Sequence, residues 1–147
     1  MDALNELQAT WHRDIPIAAA MGVEVLGLQN DEFRVGAALA ANINVHGTAF
    51  AGSLYSLAAL TGWGMIWLRL RQHELTGAIV LSKGEIDYLR PVDEDLVCRC
   101  RADSDGFDQL RDALSNGRRA TLQLACKITT RRGDAVRFIG HYAVRTS

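Results

Sequence analysis

Residues 47–68, GTAFAGSLYSLAALTGWGMIWL, decide the fold of this chain. They contain no Asp, Glu, Lys or Arg, and the run without these residues reaches back through Gly36 to Val35. Large apolar residues recur among small ones at helical spacing, which predicts a long helix. A helix that is apolar or small on every face must be buried all round, inside a membrane or inside a sheet that wraps around it.

The neighbouring sequence favours a sheet over a membrane as the surroundings of this helix. The stretch carries Ser, Thr and Tyr hydroxyls and four glycines, and segments of alternating polarity lie on both sides of it. Small residues such as Gly52, Ala58 and Gly62 would let another backbone approach closely. We therefore predict a helix enclosed in a globular domain, with a lone membrane span as the alternative.

Two elements are predicted before the long helix. Apolar residues at spacings of three and four indicate an amphipathic helix over residues 4–11, and Pro16 either ends it or begins a further helical turn. Alternation over residues 23–39, with the turn signal Asn30-Asp31, predicts a β-hairpin. Residues 41–48 then form a loop, from which Thr48 is expected to cap the long helix.

The chain after the long helix reads mainly as strands. Gly77 is expected to close the helical segment, and Arg131 to Asp134 to form a hairpin turn. The order of elements predicts an α+β fold in which one antiparallel sheet of about six strands curls around the helix, as a single domain over residues 1–147. The expected elements are strands over 78–89, 96–102, 120–130 and 135–145, and a short helix or a structured loop over 107–114.

Composition excludes several classes of protein. Sixteen basic and seventeen acidic residues give a net charge of −1, so no general attraction to nucleic acid or anionic lipid is expected. The acidic, amphipathic start lacks the features of a signal peptide, which favours a cytoplasmic location.

The cysteines are predicted to be core thiols rather than metal ligands. Cys98, Cys100 and Cys126 lie in alternating segments, and a zinc site needs other spacing and a fourth ligand. Glycine motifs for nucleotide cofactors are absent, and no metal or redox cofactor is expected.

Two stretches resemble a known family. GTAFAGSLYSLAALTGWG at 47–64 and EIDYLRPV at 85–92 look like the YiiD C-terminal-like family of hotdog-fold thioesterases, and the resemblance extends over residues 15–144. It implies a homodimer, or a dimer of dimers, in which two sheets align edge to edge. It also implies active sites at the subunit interface that take a small acyl thioester, with coenzyme A present only as part of the substrate.

The resemblance also implies where the chemistry lies. In hotdog thioesterases the start of the central helix faces the thioester carbonyl, and a glycine N–H there supplies an oxyanion hole, a role that Gly52 fits best. Helix N-termini suit this role because their free N–H groups and dipole stabilise developing negative charge. Many relatives carry an acidic residue two turns later, where this chain has Ala59.

The polar loop before the helix offers replacements for the missing carboxylate. Asn42, Asn44, His46 and Thr48 lie there. Asn44 is a candidate to orient the attacking water or to donate to the thioester oxygen, and His46 is a candidate general base. The alternative for Asn44 is a turn or capping residue, and for His46 an ordinary loop residue.

Further residues are candidates for substrate binding. They are Thr48, Ser53, Tyr55, Ser82 and Arg90. Ser53 and Ser56 lack the motif of a serine nucleophile and are expected to bond back to helix carbonyls, whereas Ser82 is a candidate to hold a water.

Charged residues outside the loop supply the rival assignments. Glu85 and Asp87 are candidates for a base supplied to the partner subunit, and Arg90, Arg131 and Arg132 for binding coenzyme A phosphates. His12, His73 and His141 are read as surface or strand histidines without companion residues.

These observations predict an enzyme that hydrolyses the thioester of acyl-CoA or an acyl carrier. Two alternatives stay open. One is a hotdog dehydratase or hydratase, which would need a His and a carboxylate facing each other. The other is a domain that binds acyl thioesters, or a protein partner, without turnover.

Overall fold

The computed structural model of the chain describes residues 2–101 and 104–146. Its strands β1 to β6 form one antiparallel sheet in the order β1-β2-β4-β5-β6-β3. The elements are α1 (Ala3–Asp14), α2 (Pro16–Met21), β1 (Glu24–Gln29), β2 (Glu32–Ala37), a 3₁₀ turn (Leu39–Asn42), α3 (Ala51–Gln72), β3 (Ala78–Tyr88), β4 (Leu96–Arg101), α4 (Ser104–Ser115), β5 (Ala120–Thr130) and β6 (Gly133–Arg145).

Helix α3 packs on one face of this sheet, against strands β2 to β6, and α1 also contacts the helix. Two glycines allow the close approach. A methyl group at Gly62 would lie 2.3 Å from the Tyr142 hydroxyl oxygen, and one at Gly64 would lie 2.7 Å from the Trp11 ring. The enclosed helix and the α+β hotdog architecture predicted from the sequence are confirmed. Among the described residues, no helix has the length and hydropathy that a membrane crossing requires.

The turn at Asn30-Asp31 was predicted correctly, whereas the second turn is shorter than predicted, because Gly133 and Asp134 belong to β6. Asn30 and Asp31 have φ angles of 52° and 62°, the left-handed pair that a two-residue turn between twisted strands requires. Arg131 and Arg132 form the turn before β6, which begins at Gly133 with φ 105°. Pro16 is the first residue of α2 rather than the end of α1.

The ends of α3 differ from the prediction. Thr48 does not cap the helix, because α3 begins at Ala51 and Phe50 is its N-cap residue without a side-chain hydrogen bond. Gly77 does not close it either. The helix ends at Gln72. Just after it, Glu74 takes a left-handed φ of 55°, and the Leu75 N–H donates to the Leu70 carbonyl.

The three cysteines lie in the core, as predicted. Cys98 and Cys100 of β4 and Cys126 of β5 are free thiols, each at most 3% exposed. Hydrogen bonds to Cys100 and Cys98 raise the pKa of Cys126, and burial raises it further. Residues 2–101 and 104–146 contain no group of three or more His, Cys, Asp or Glu that is arranged to hold a metal ion.

Candidate active site at the start of helix α3

A cleft of about 340 Å³ lies where the first two turns of α3 meet α2 and the 3₁₀ turn. Its walls are mainly apolar and it receives a few polar groups, which is the usual composition of a small-molecule site. Its lining residues are Ile17, Ala20, Met21, Ala41, Asn42, Phe50, Gly52, Ser53 and Ser56.

Two backbone N–H groups at the start of α3 have no acceptor within the described chain. The Phe50 carbonyl accepts from Ser53 and Leu54, but the N–H groups of Ala51 and Gly52 are unpaired. The first turn contains no acidic residue. This end of the helix can therefore stabilise negative charge on a bound oxygen through two donors and the helix dipole.

The Phe50 ring leaves little room for a side chain at position 52. A methyl group at Gly52 would lie 2.4 Å from a ring carbon of Phe50, so the ring packs directly over the glycine. The Phe50 ring is itself 55% exposed and borders the cleft. A larger residue at position 52 would displace the ring and reshape the entrance.

The hydroxyls of Ser53 and Ser56 are available to a ligand. Both residues line the cleft, and neither hydroxyl makes a hydrogen bond within the described part of the chain. The expectation that they bond back to helix carbonyls is therefore wrong. Thr61, two turns later, does bond back, with Oγ1 2.7 Å from the Leu57 carbonyl.

Asn42 is the polar residue whose surroundings the sequence could not reveal. It is 3% exposed, and its Nδ2 donates to the carbonyls of Met21 at 2.9 Å and Ala38 at 2.8 Å. These bonds tie the 3₁₀ turn to the end of α2. Its Oδ1 is buried and has no partner in the described chain, which costs about 1–3 kcal/mol unless a donor binds there.

Asn44 uses its whole amide to hold the loop together. Its Oδ1 accepts from the backbone N–H of His46 at 2.8 Å and of Thr48 at 3.1 Å. Its Nδ2 donates to Thr48 Oγ1 at 2.9 Å and to the Ala49 carbonyl at 3.3 Å. All four hydrogen-bonding positions of the amide are occupied, so this geometry favours a role in loop structure over one in orienting water.

Asn44→Ala is therefore expected to act through the loop. Four bonds are lost, so we expect a lower melting temperature and a reduced kcat that fall together. Asn44→Asp is the matched comparison, since it keeps the two acceptor contacts and removes only the donors. If the Asn44→Ala protein melts like wild type but its turnover falls 10²-fold or more, Asn44 instead acts directly on the substrate or the attacking water.

His46 and Thr48 belong to the same tight loop. Residues Ile43 and Ala49 pair across it, and the tip at Val45 is 95% exposed. His46 is also exposed, and its imidazole makes no hydrogen bond within the described residues. Thr48 faces Asn44 rather than the cleft.

Tyr55 lies around the helix from the two serines and is not part of the cleft. Its ring meets Phe138 edge-on, with 5.4 Å between the ring centres, and its hydroxyl lies over Gly84 of β3.

Tyr88 is a residue of the site that was not predicted from the sequence. Its hydroxyl donates to the Ala51 carbonyl at 3.2 Å. Burial raises the pKa of Tyr88, and the neighbouring Tyr55 raises it further. Strand alternation places Tyr88 on the inner face of the sheet with Ile86, and this alternation could have indicated that Tyr88 faces α3.

The other polar residues of β3 lie on the face of the sheet that is turned away from α3. Ser82 sits at a bulge and donates to the His141 carbonyl at 2.9 Å. Glu85 pairs with His141 Nε2 at 2.9 Å, and its pKa is lowered by this hydrogen bond first and by Lys83 second. His141 thus has a companion, contrary to expectation. Neither Ser82 nor the carboxylates of Glu85 and Asp87 reach the start of α3 in the same chain.

The arginines proposed for phosphate binding are largely occupied. Arg131 pairs with Glu94 and, at 3.3 Å, with Asp93, and Arg132 pairs with Asp93 at 2.9 Å. The Arg131 pKa is raised by its hydrogen bonds to Glu94 and Asp93. Arg90 donates one N–H to the Arg132 carbonyl at 2.7 Å, and its guanidinium makes no ion pair within residues 2–101 and 104–146.

Comparison with known proteins identifies the family of the chain. Residues 4–146 match the model of the family described as "Putative thioesterase (yiiD_Cterm)". The crystal structure of the putative thioesterase from Shewanella oneidensis is similar at 36% identity and a TM-score of 0.91, over 99% of this chain and 98% of that one. A protein of unknown function from Chlorobaculum tepidum TLS matches at 27% identity and a TM-score of 0.92, over 97% and 94%.

A more distant structure shares the fold alone. The thioesterase from Haemophilus influenzae is 14% identical, with a TM-score of 0.76 over 99% of this chain and 92% of that one. Because the family match covers nearly all of the sequence and the Shewanella relative is well above 30% identical, the chain belongs to the YiiD C-terminal thioesterase family.

Proposed function

We propose that the protein hydrolyses the thioester bond of acyl-CoA substrates at the start of α3. One observation supports this most directly. The backbone N–H groups of Ala51 and Gly52 lie beside an apolar cleft and have no acceptor within the described residues. The thioester carbonyl oxygen would accept from these donors. Attack of water on the carbonyl carbon gives a tetrahedral oxyanion, which collapses to the carboxylic acid and the thiolate of coenzyme A.

None of the residues lining the cleft has an ionisable side chain, so the base that takes the proton from water must come from outside the lining. His46 remains our proposed base, because it is the titratable residue of the loop over 43–50 that leads into α3. Asn44 is then a positioning residue that holds this loop, and Ser53 and Ser56 are proposed to bind substrate or water through their free hydroxyls. If His46 is the base, His46→Ala flattens the acid limb of the pH–rate profile.

We further propose that the working unit is at least a dimer joined along β3. This strand is a sheet edge, with Val80 57% exposed. Trp63 donates to the Ile79 carbonyl and Tyr55 lies over Gly84, so the half-buried face of α3 continues directly onto β3. An unpaired edge beside an uncharged apolar face favours pairing with a second copy. The half-buried residues of this face are Tyr55, Ala59, Leu60, Trp63, Trp67, Leu81 and Ile86.

Light scattering at micromolar concentration tests the assembly. The expected mass is at least twice the 16.1 kDa of the chain. Leu60→Asp, which puts a charge on the half-buried face, is expected to shift the protein toward monomer. A wild-type protein that remains a 16.1 kDa monomer at these concentrations would contradict the proposal.

The test of the function is release of free thiol from a panel of acyl-CoA substrates of increasing chain length. Turnover that rises with enzyme concentration supports hydrolysis. The lack of a titratable residue in the cleft favours a binding domain as the second candidate. Saturable binding of acyl-CoA with no thiol release would establish that candidate and exclude the hydrolase.

A further inference from the structure

A row of four cations crosses the outer face of the sheet, the face turned away from α3. Arg34 of β2 is paired in register with Arg99 of β4, Arg99 with Lys127 of β5, and Lys127 with Arg137 of β6. These residues are direct cross-strand neighbours at strand spacings of about 4.8 Å, so the row is roughly 14 Å long. We call Arg34, Arg99, Lys127 and Arg137 the cationic row.

Three carboxylates, those of Glu32, Asp134 and Asp87, offset this row in part. Glu32 pairs with Arg99 at 2.9 Å and also with Arg101, and Asp134 lies 3.9 Å from Lys127. Arg34 and Arg137 have no ion pair within the described residues, but Asp87 of β3 is the cross-strand neighbour of Arg137 and offsets part of its charge. Like charges directly opposite each other destabilise a sheet. The protein as a whole carries a net charge of −1, so the excess of positive charge here is local.

The row borders a hollow of about 500 Å³. Its floor contains Ala125 and Ile139, which face each other across β5 and β6 and are shorter than the cations around them. Four cations and two carboxylates line it, which leaves two positive charges in excess, and Arg34 adjoins it. The volume and charge suit a small molecule with two or three negative charges.

Other occupants fit less well. Single-stranded nucleic acid needs exposed aromatic platforms for its bases, and the one aromatic residue bordering the hollow, Phe138, is 1% exposed. A second copy packed on this face about a two-fold axis at its centre would place the cationic row of one chain against that of the other. A compact anion avoids both difficulties.

We propose that the cationic row and its hollow form a binding site for a small molecule that carries a diphosphate or longer phosphate chain. The phosphate oxygens accept from Arg137, Lys127 and Arg99, and an attached organic group covers Ala125 and Ile139. This site is separate from the start of α3, and the proposal does not depend on thioester hydrolysis.

Calorimetry and thermal shifts at low salt, with sodium pyrophosphate and with ADP as separate probes, test the site. We expect both probes to bind and to raise the melting temperature by a few degrees when present well above Kd. Tighter binding of ADP than of pyrophosphate identifies a nucleotide as the source of the phosphates, whereas equal binding identifies the phosphate chain alone. Lys127→Gln/Arg137→Gln is expected to weaken binding at least 10-fold.

The matched control is Arg119→Gln/Arg145→Gln. It removes two positive charges from another hollow of the sheet, lined by Arg119 and Arg145. It should bind like wild type. The row variant relieves repulsion between like charges and removes only the exposed Lys127–Asp134 ion pair, so it should melt close to wild type. The proposal is overturned by equal weakening in both variants, by a row variant that melts well below wild type, by no binding of either probe, or by an RNA oligonucleotide that binds more tightly than both.

Discussion

Replacing Gly52 by proline is expected to lower kcat/KM for an acyl-CoA substrate by about 10²- to 10³-fold. The change removes one of the two unpaired N–H groups at the start of α3, which is the donor we assign to the oxyanion. Proline is tolerated in the first turn of a helix, where its missing N–H breaks no backbone hydrogen bond. Circular dichroism and light scattering check that fold and assembly are retained.

Gly52→Ala is the matched control. It also brings a Cβ against the Phe50 ring, but it keeps the N–H. The ring is largely exposed and can turn aside, so we expect turnover within about 10-fold of wild type. If the alanine and proline variants lose activity equally, the shape of the cleft matters and the Gly52 N–H does not.

The largest effect on stability is expected from Gly62→Ala. The new methyl group would lie 2.3 Å from the Tyr142 hydroxyl oxygen and 2.8 Å from its ring. Tyr142 is buried and donates to the Ala59 carbonyl at 2.8 Å, so the ring cannot move without breaking this bond. Overpacking and the lost hydrogen bond together should lower the free energy of unfolding by about 2–5 kcal/mol.

Chemical denaturation measures this change in the free energy of unfolding. Two further variants show whether the new methyl group causes it. Ser56→Ala on the half-exposed face of the same helix should change the free energy by less than about 0.5 kcal/mol. Adding Tyr142→Phe to Gly62→Ala removes the atom nearest to the new methyl group, and should restore part of the loss. A Gly62→Ala protein as stable as wild type would mean that α3 is not tightly enclosed by β6.

The fold was readable because its signals are local. The charge-free stretch from Gly36 to Leu68 required an enclosed helix, and Asn30-Asp31 specified a turn by the φ angles that these residues tolerate. The helix ends were less predictable. Thr48 is a good capping residue in isolation, but its hydroxyl accepts from Asn44 and its N–H donates to the same side chain.

The candidate site was readable only in part. The sequence placed Gly52 and Ser53 at the start of the helix, where the structure has them together in one cleft. It grouped them with Tyr55 and Ser82, which lie around the helix and on the outer face of the sheet. A sequence does not reveal which side of the helix a cleft will occupy.

Buried hydrogen bonding is the other part that sequence reasoning missed. Asn42 and Asn44 are the same residue type two positions apart. Asn44 has every polar position filled by its own loop, whereas Asn42 keeps a buried oxygen without a partner. The difference arises from the packing of α2 against the 3₁₀ turn, which brings the Met21 carbonyl to Asn42.

The central claim is that the thioester carbonyl binds to the N–H groups at the start of α3. Amide ¹H–¹⁵N spectra of the assigned protein, titrated with an acyl-CoA analogue whose thioester is replaced by a ketone, measure this directly. We predict that the amide protons of Ala51 and Gly52 move downfield as the ketone oxygen accepts from them, with shifts among the largest in the spectrum. Saturable binding that leaves both amides unmoved, while signals elsewhere shift, would contradict the account.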